Sequence, residues 1–148
     1  MKSKIGLAKI WSDEDMVELR VEVCDGNSSF ANKIYVGHQC LKEAVSALNR
    51  FKDQIYGGIL DLRFGEFGPE YGSGALHARW HFQDRGKIYI TVSVQSRFTT
   101  FGRKVVASEA TLYLISEPAL LDEFIRDLRA LSDGQCDDAV LEAISSEC

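Results

Sequence analysis

Residues 75–95 read ALHARWHFQDRGKIYITVSVQ, and their alternation decides the fold. Leu76, Ala78, Trp80 and Phe82 fall on one face of the first half, with His77, Arg79 and His81 on the other. After the short Asp84-Arg85-Gly86 turn, Ile88, Ile90, Val92 and Val94 again share a face, opposite Tyr89, Thr91, Ser93 and Gln95. Period two on both sides of a glycine-containing turn specifies a β-hairpin. One apolar and one polar face per strand specifies antiparallel sheet whose apolar side is covered.

The same period recurs outside the hairpin. Met16 to Cys24, MVELRVEVC, places Val17, Leu19, Val21 and Val23 on one side and Glu18, Arg20 and Glu22 on the other. Further strands fit Lys4–Trp11, Phe30–Val36, Ile59–Phe64 and Val105–Ile115. Two stretches change to helical spacing. From Gln39 to Ile55 the stripe is Leu41, Ala44, Val45, Leu48, Phe51 and Ile55, closed by Gly57-Gly58. From Glu117 to Leu131 it is Leu120, Leu121, Phe124, Ile125, Leu128 and Leu131, with Ser116 as the expected N-cap and Pro118 in the first turn. Val140, Leu141 and Ile144, behind Asp137-Asp138, suggest a short third helix over Asp137–Ser145. The expectation is an α+β domain of antiparallel β-sheets, about seven strands packed with two main helices and a short C-terminal one, in the order βββ-α-ββββ-α(α). Repeats, linkers and low-complexity tracts are absent from the sequence, so residues 1–148 read as a single domain.

Composition bounds the function. The chain is 45% hydrophobic and 26% charged, an ordinary globular balance. Without a long apolar run or a signal-type leader, and with Cys24, Cys40, Cys136 and Cys148 scattered and unpaired by motif, it reads as cytoplasmic with free thiols. The net charge of −5 is unevenly spread. Residues 116–148 hold nine acids against Arg126 and Arg129, which leaves the remainder slightly basic. An acidic segment repels nucleic acid and steers basic partners.

The chemistry-bearing residues point away from catalysis. The sequence holds no nucleophile elbow and no phosphate-binding lysine loop, and its cysteines and histidines lack zinc spacing. His77 and His81 lie four apart on a strand, roughly 13 Å, too far to share one ion directly. The expectation is therefore a non-enzyme with no cofactor and no metal. Three features suggest a protein contact instead. The stretch GGILDLRFGEFGPEYGSG, residues 57–74, gathers six of the twelve glycines around Phe64, Glu66, Phe67, Glu70 and Tyr71. Glycine-rich turns tend to present such side chains outward. Asp13-Glu14-Asp15 lies between the first two strands, and Asp122, Glu123 and Asp127 lie on the second main helix. A separate polar row of His77, Arg79, His81 and Tyr89, with Lys87, Arg97, Phe98 and Arg103-Lys104 nearby, suits a single nucleic-acid strand, although the acidic balance makes nucleic acid the lesser expectation.

The length, the acidity, the element order and the segments FGEFGPEYGSGALHARWHF and SEPALLDEFIRDL resemble small bacterial immunity proteins, such as those paired with contact-dependent growth-inhibition toxins. The resemblance implies a toxin-neutralising inhibitor that blocks a basic, nuclease-like toxin domain with an acidic and aromatic surface. Immunity proteins share no common motif, so it assigns no residue a role. The element order also resembles the Whirly single-stranded DNA-binding fold, two antiparallel sheets followed by helices, although seven strands are legible where that fold has eight and its lysine-rich strand motif is missing. The expected partner is a protein, not a membrane, with a homodimer through an open sheet edge as a further possibility.

Overall fold

The computed structural model describes residues 2–68, 73–83 and 86–144. Its elements are β1 (Lys4–Ser12), β2 (Met16–Cys24), β3 (Ser29–Gly37), α1 (His38–Phe51), β4 (Ile59–Gly65), β5 (Ser73–Gln83), β6 (Lys87–Arg97), β7 (Thr99–Phe101), β8 (Lys104–Val106), β9 (Glu109–Ser116), α2 (Pro118–Ser132) and β10 (Asp138–Glu142). The α+β class with antiparallel sheets and two main helices is as expected. Three short strands beyond the expected seven are the difference.

The strands form two four-stranded antiparallel sheets, β10-β1-β2-β3 and β4-β5-β6-β9, together with a two-stranded ribbon, β7-β8. The β5-β6 hairpin is the centre of the second sheet, with Leu76 opposite Val94 and Trp80 opposite Ile90. The ribbon continues it: β6 runs on through Arg97 and returns through β8 into β9. The expected Val105–Ile115 strand is thereby split into β8 and β9.

The segment read as a third helix is a strand. Asp138–Glu142 pairs with β1, setting Leu141 against Ile5 and Ala139 against Leu7. Ala139 and Leu141 are buried while Val140 points out, which is strand alternation over five residues. The two main helices end differently from their apolar stripes. The first stops at Phe51, and the chain folds back through the Lys52 N–H to Leu48 and the Gln54 N–H to Phe51. Ile55 is left outside the helix and exposed. The second takes Glu117, not Ser116, as its N-cap, with Pro118 in the first turn. Ser116 is instead a fully buried strand residue whose hydroxyl donates to the Glu142 carbonyl at 2.9 Å. At the far end, Gly134 at φ 78° closes the helix, its N–H on the Leu131 carbonyl and that of Gln135 on the Ala130 carbonyl.

Both sheets and both helices face one core. Trp80 packs over Phe124 at 6.3 Å between ring centres, and Phe51 stacks on Phe82 at 4.7 Å. Ile5 and Leu7 of the first sheet, Leu62 and Ala78 of the second and Leu128 of α2 surround the same small apolar gap. Two seams hold the sheets together. At one, Ile115 bridges Ile144 beside the Ser116 bond. At the other, β3 crosses the end of the second sheet, where the Asn32 amide donates to the Gln95 carbonyl at 2.6 Å. There Gly74 has φ 114°, and a Cβ on it would lie 2.5 Å from the Lys33 carbonyl oxygen. The crossing needs glycine at that point.

Candidate protein-binding surface

The strongest surface lies at the turn end of the first hairpin, where β1 meets β2. The pairing of these strands slips by one residue between Lys9 and Trp11, a β-bulge. Ahead of it Ile5 and Leu7 point into the core. Strict alternation would continue that series to Trp11, but the extra residue turns Trp11 to the outer face, because a one-residue slip exchanges the two faces. Trp11 then opposes Glu18, which in turn opposes Tyr35 on β3. The two rings meet edge to face at 6.3 Å and 81°. Trp11 stays 47% exposed, and Ile10, Met16 and Tyr35 are also open to solvent. Four large apolar side chains therefore share one exposed corner of the molecule.

Asp13, Glu14 and Asp15 border that corner, all exposed. The Asp13 carboxylate accepts the backbone N–H of Asp15 at 2.8 Å and of Met16 at 2.9 Å, and Asp13's own N–H bonds the Met16 carbonyl. These bonds, the Met16 N–H first, hold the Asp13 carboxyl below its ordinary value. His38, the first residue of α1, braces the turn from behind. Its ring nitrogen Nε2 lies 2.7 Å from the Asp13 carbonyl oxygen, and its backbone N–H donates to the Asp15 carbonyl. The three acids thus sit on a fixed turn. Beside it a cleft of about 260 Å³ opens between Lys9, Ser12 and His38 on one side and Leu131 and Gly134 on the other.

Among the described residues, the other candidates are spread over separate elements. In the glycine-rich stretch Phe64 is buried in the core, against the expectation that the loop displays its aromatics. Glu66 is exposed and Phe67 half-buried, while Glu70 and Tyr71 lie outside the described residues. The Gly68 N–H donates to the Gln95 side chain at 2.6 Å, and that side chain donates to Glu109. On α2, Asp122 and Glu123 are exposed and Asp127 half-exposed. Asp122 is engaged by Lys52 at 3.2 Å, an ion pair that ties α1 to α2.

His77, Arg79, His81 and Tyr89 do lie together on the outer face of the second sheet. His77 Nε2 sits 2.7 Å from the Asp61 carboxylate, and His81 Nδ1 is 3.0 Å from the Gln83 amide. Among the described residues no group of three or more His, Cys, Asp or Glu side chains is arranged to hold a metal. Sequence alone does not reveal the Trp11–Tyr35 corner, whose one signal is an aromatic two residues ahead of Asp13.

No family model, curated protein or solved structure matches the chain. No helix of the described residues is long and apolar enough to cross a membrane.

Proposed function

We propose that the chain is a protein-binding module of the immunity type, which neutralises a basic, nuclease-like toxin domain inside the cytoplasm. The observation that carries this reading is the bulge that turns Trp11 outward against Tyr35, beside the braced carboxylates of Asp13, Glu14 and Asp15. Aromatic side chains supply most of the energy of protein interfaces, and surrounding charges supply approach rate and register. Seated on a cationic active site, the corner loses its water while the carboxylates take the positions a nucleic-acid phosphate would take.

The test is capture of the tagged protein's partner from its own host, washed at rising salt, alongside a Trp11→Ala/Tyr35→Ala variant. A Trp side chain carries up to about 250 Å² of surface, and Trp11 keeps 47% of its own open. Covering that remainder contributes about 3 kcal/mol, so Trp11→Ala alone weakens binding roughly 100-fold. A basic protein retained by the wild type and lost from the variant supports the reading. Equal retention by both removes the corner as the interface.

A second reading follows from charge segregation. On the outer face of the second sheet and its ribbon, Arg63, Arg79, Lys87, Arg97, Arg103 and Lys104 stand against Asp61 and Glu109, a basic face on an acidic chain. Tyr89 and Tyr113 lie on the same face on neighbouring strands, and Tyr113 is 69% exposed. Cations beside flat rings are what a single nucleic-acid strand requires. Salt-sensitive binding of a labelled oligonucleotide that Tyr113→Ala weakens supports it, and absence of binding at low salt removes it.

A further inference from the structure

The second sheet ends in an open strand. β4 pairs only with β5, in an unbroken register from Ile59 opposite His81 to Gly65 opposite Ala75. The Phe82 N–H donates to the Gly58 carbonyl. Because antiparallel strands alternate the direction of their backbone bonds, Leu60, Leu62 and Phe64 point theirs at β5, as the Gly58 carbonyl does. Ile59, Asp61 and Arg63 point theirs away from the sheet. Its seven residues hold no proline, lysine or register break, and among the described residues no strand other than β5 pairs with them. Apolar surface gathers beside it: Tyr56 is 98% exposed and Ile59 50%, with Ile55 also open.

We propose that this edge pairs with the same edge of a second copy, making an antiparallel dimer with a two-fold axis at Leu62. The strand's own sequence, ILDLRFG, selects that register. A two-fold axis at Asp61 would set Asp61 against Asp61, and one at Arg63 would set Arg63 against Arg63. An axis at Leu62 sets Asp61 of each copy against Arg63 of the other, twice, on one face of the sheet. It also sets Leu60 against Phe64 on the other face. Like charges directly opposite destabilise a strand pair and opposite charges favour it, so one register of the three survives. The interface is isologous and closes on two copies, because each copy uses its own β4 edge. It also joins two four-stranded sheets into one of eight. The inference is independent of the toxin reading, since Trp11 and Tyr35 lie on the other sheet.

The test is solution mass by analytical ultracentrifugation over a concentration series up to millimolar, with charge-reversed variants. The wild type is expected to approach twice 16.5 kDa. Asp61→Arg and Arg63→Asp each place like charges across the axis and should weaken association about tenfold or more. The double exchange Asp61→Arg/Arg63→Asp restores opposite charges and should restore the dimer. Both residues are exposed, and circular dichroism checks that each variant folds. A wild type that stays a monomer overturns the proposal. So does a dimer indifferent to the single reversals, or one that the double exchange fails to restore.

Discussion

Gly74→Ala, compared with Gly57→Ala, measures how closely the two sheets abut. Both glycines hold nearly the same backbone angle, φ 114° and 124°, so alanine brings each a similar strain of roughly 1–3 kcal/mol. Their surroundings differ. A Cβ on Gly57 would meet nothing within 4 Å, whereas one on Gly74 would lie 2.5 Å from the Lys33 carbonyl oxygen. Ordinary contact begins at 3.4 Å, so β3 or β5 would have to retreat by 0.9 Å, the difference of the two. Overpacking of this kind costs typically about 1–3 kcal/mol, and the Asn32–Gln95 bond lies in the path of the displacement. Gly74→Ala should therefore be about 2 kcal/mol less stable than Gly57→Ala. Guanidinium denaturation followed by tryptophan emission reads both. A domain of ordinary stability, about 5–15 kcal/mol, tolerates either change and still folds. If the two variants fall within about 0.5 kcal/mol of each other, a margin typical of surface substitutions, Gly74 does not sit at a close crossing of backbones.

The two tryptophans differ in exposure, so Trp11→Phe should leave an emission spectrum from buried Trp80 alone, shifted to shorter wavelength than the wild type. An unchanged spectrum would place Trp11 inside. Asp13 and Asp25 each accept two backbone N–H bonds in hairpin turns, which lowers their carboxyl pKa; for Asp25 the Asn27 N–H leads and Ser28 follows. Groups shifted downward stabilise the fold above their unfolded value, about pH 4, and that contribution disappears as pH falls through the lower folded value. An Asp13→Asn/Asp25→Asn variant keeps acceptor oxygens without the titration, so its denaturation midpoint should fall less than the wild type's between neutral and strongly acid pH. Ser116→Ala leaves the Glu142 carbonyl without its buried donor and should cost about 1 kcal/mol. Hydrogen exchange should quicken first in β10, and uniform loss across the sheets would contradict the seam.

Much of the fold was legible because period two and period 3.6 are set locally. Met16–Cys24 was bounded correctly from alternation alone, and α1 and α2 follow their apolar stripes to within a few residues. What failed depended on distant partners. Five residues, DAVLE, carry too little pattern to separate strand from helix, and β1 decided the matter from the other end of the chain. Ser116 has the chemistry of a cap, yet its hydroxyl donates to the Glu142 carbonyl, which sequence proximity does not reveal. The acidic turn at Asp13–Asp15 was visible as three adjacent carboxylates. The aromatic pair beside it was not, because a bulge reverses the face of Trp11 without leaving a residue signature. Glycine enrichment over residues 57–74 suggests display, but at Gly74 its cause is the close meeting of two backbones.

The pairing of β1 with β10 also has a temporal side. Lys4 bonds across to Glu142 and Ala8 to Asp138, separations of 138 and 130 residues, so the first sheet is complete only after nearly the whole described chain has emerged. Closing so long a loop costs entropy before its contacts are gained, and such topologies fold slowly. Until then β1 presents Ile5 and Leu7 on a strand with one unsatisfied edge, during synthesis as well as after unfolding. The nascent protein is therefore most vulnerable to aggregation and proteolysis just before its last strand docks, and a chain halted short of Asp138 should be degraded rather than accumulate half-active.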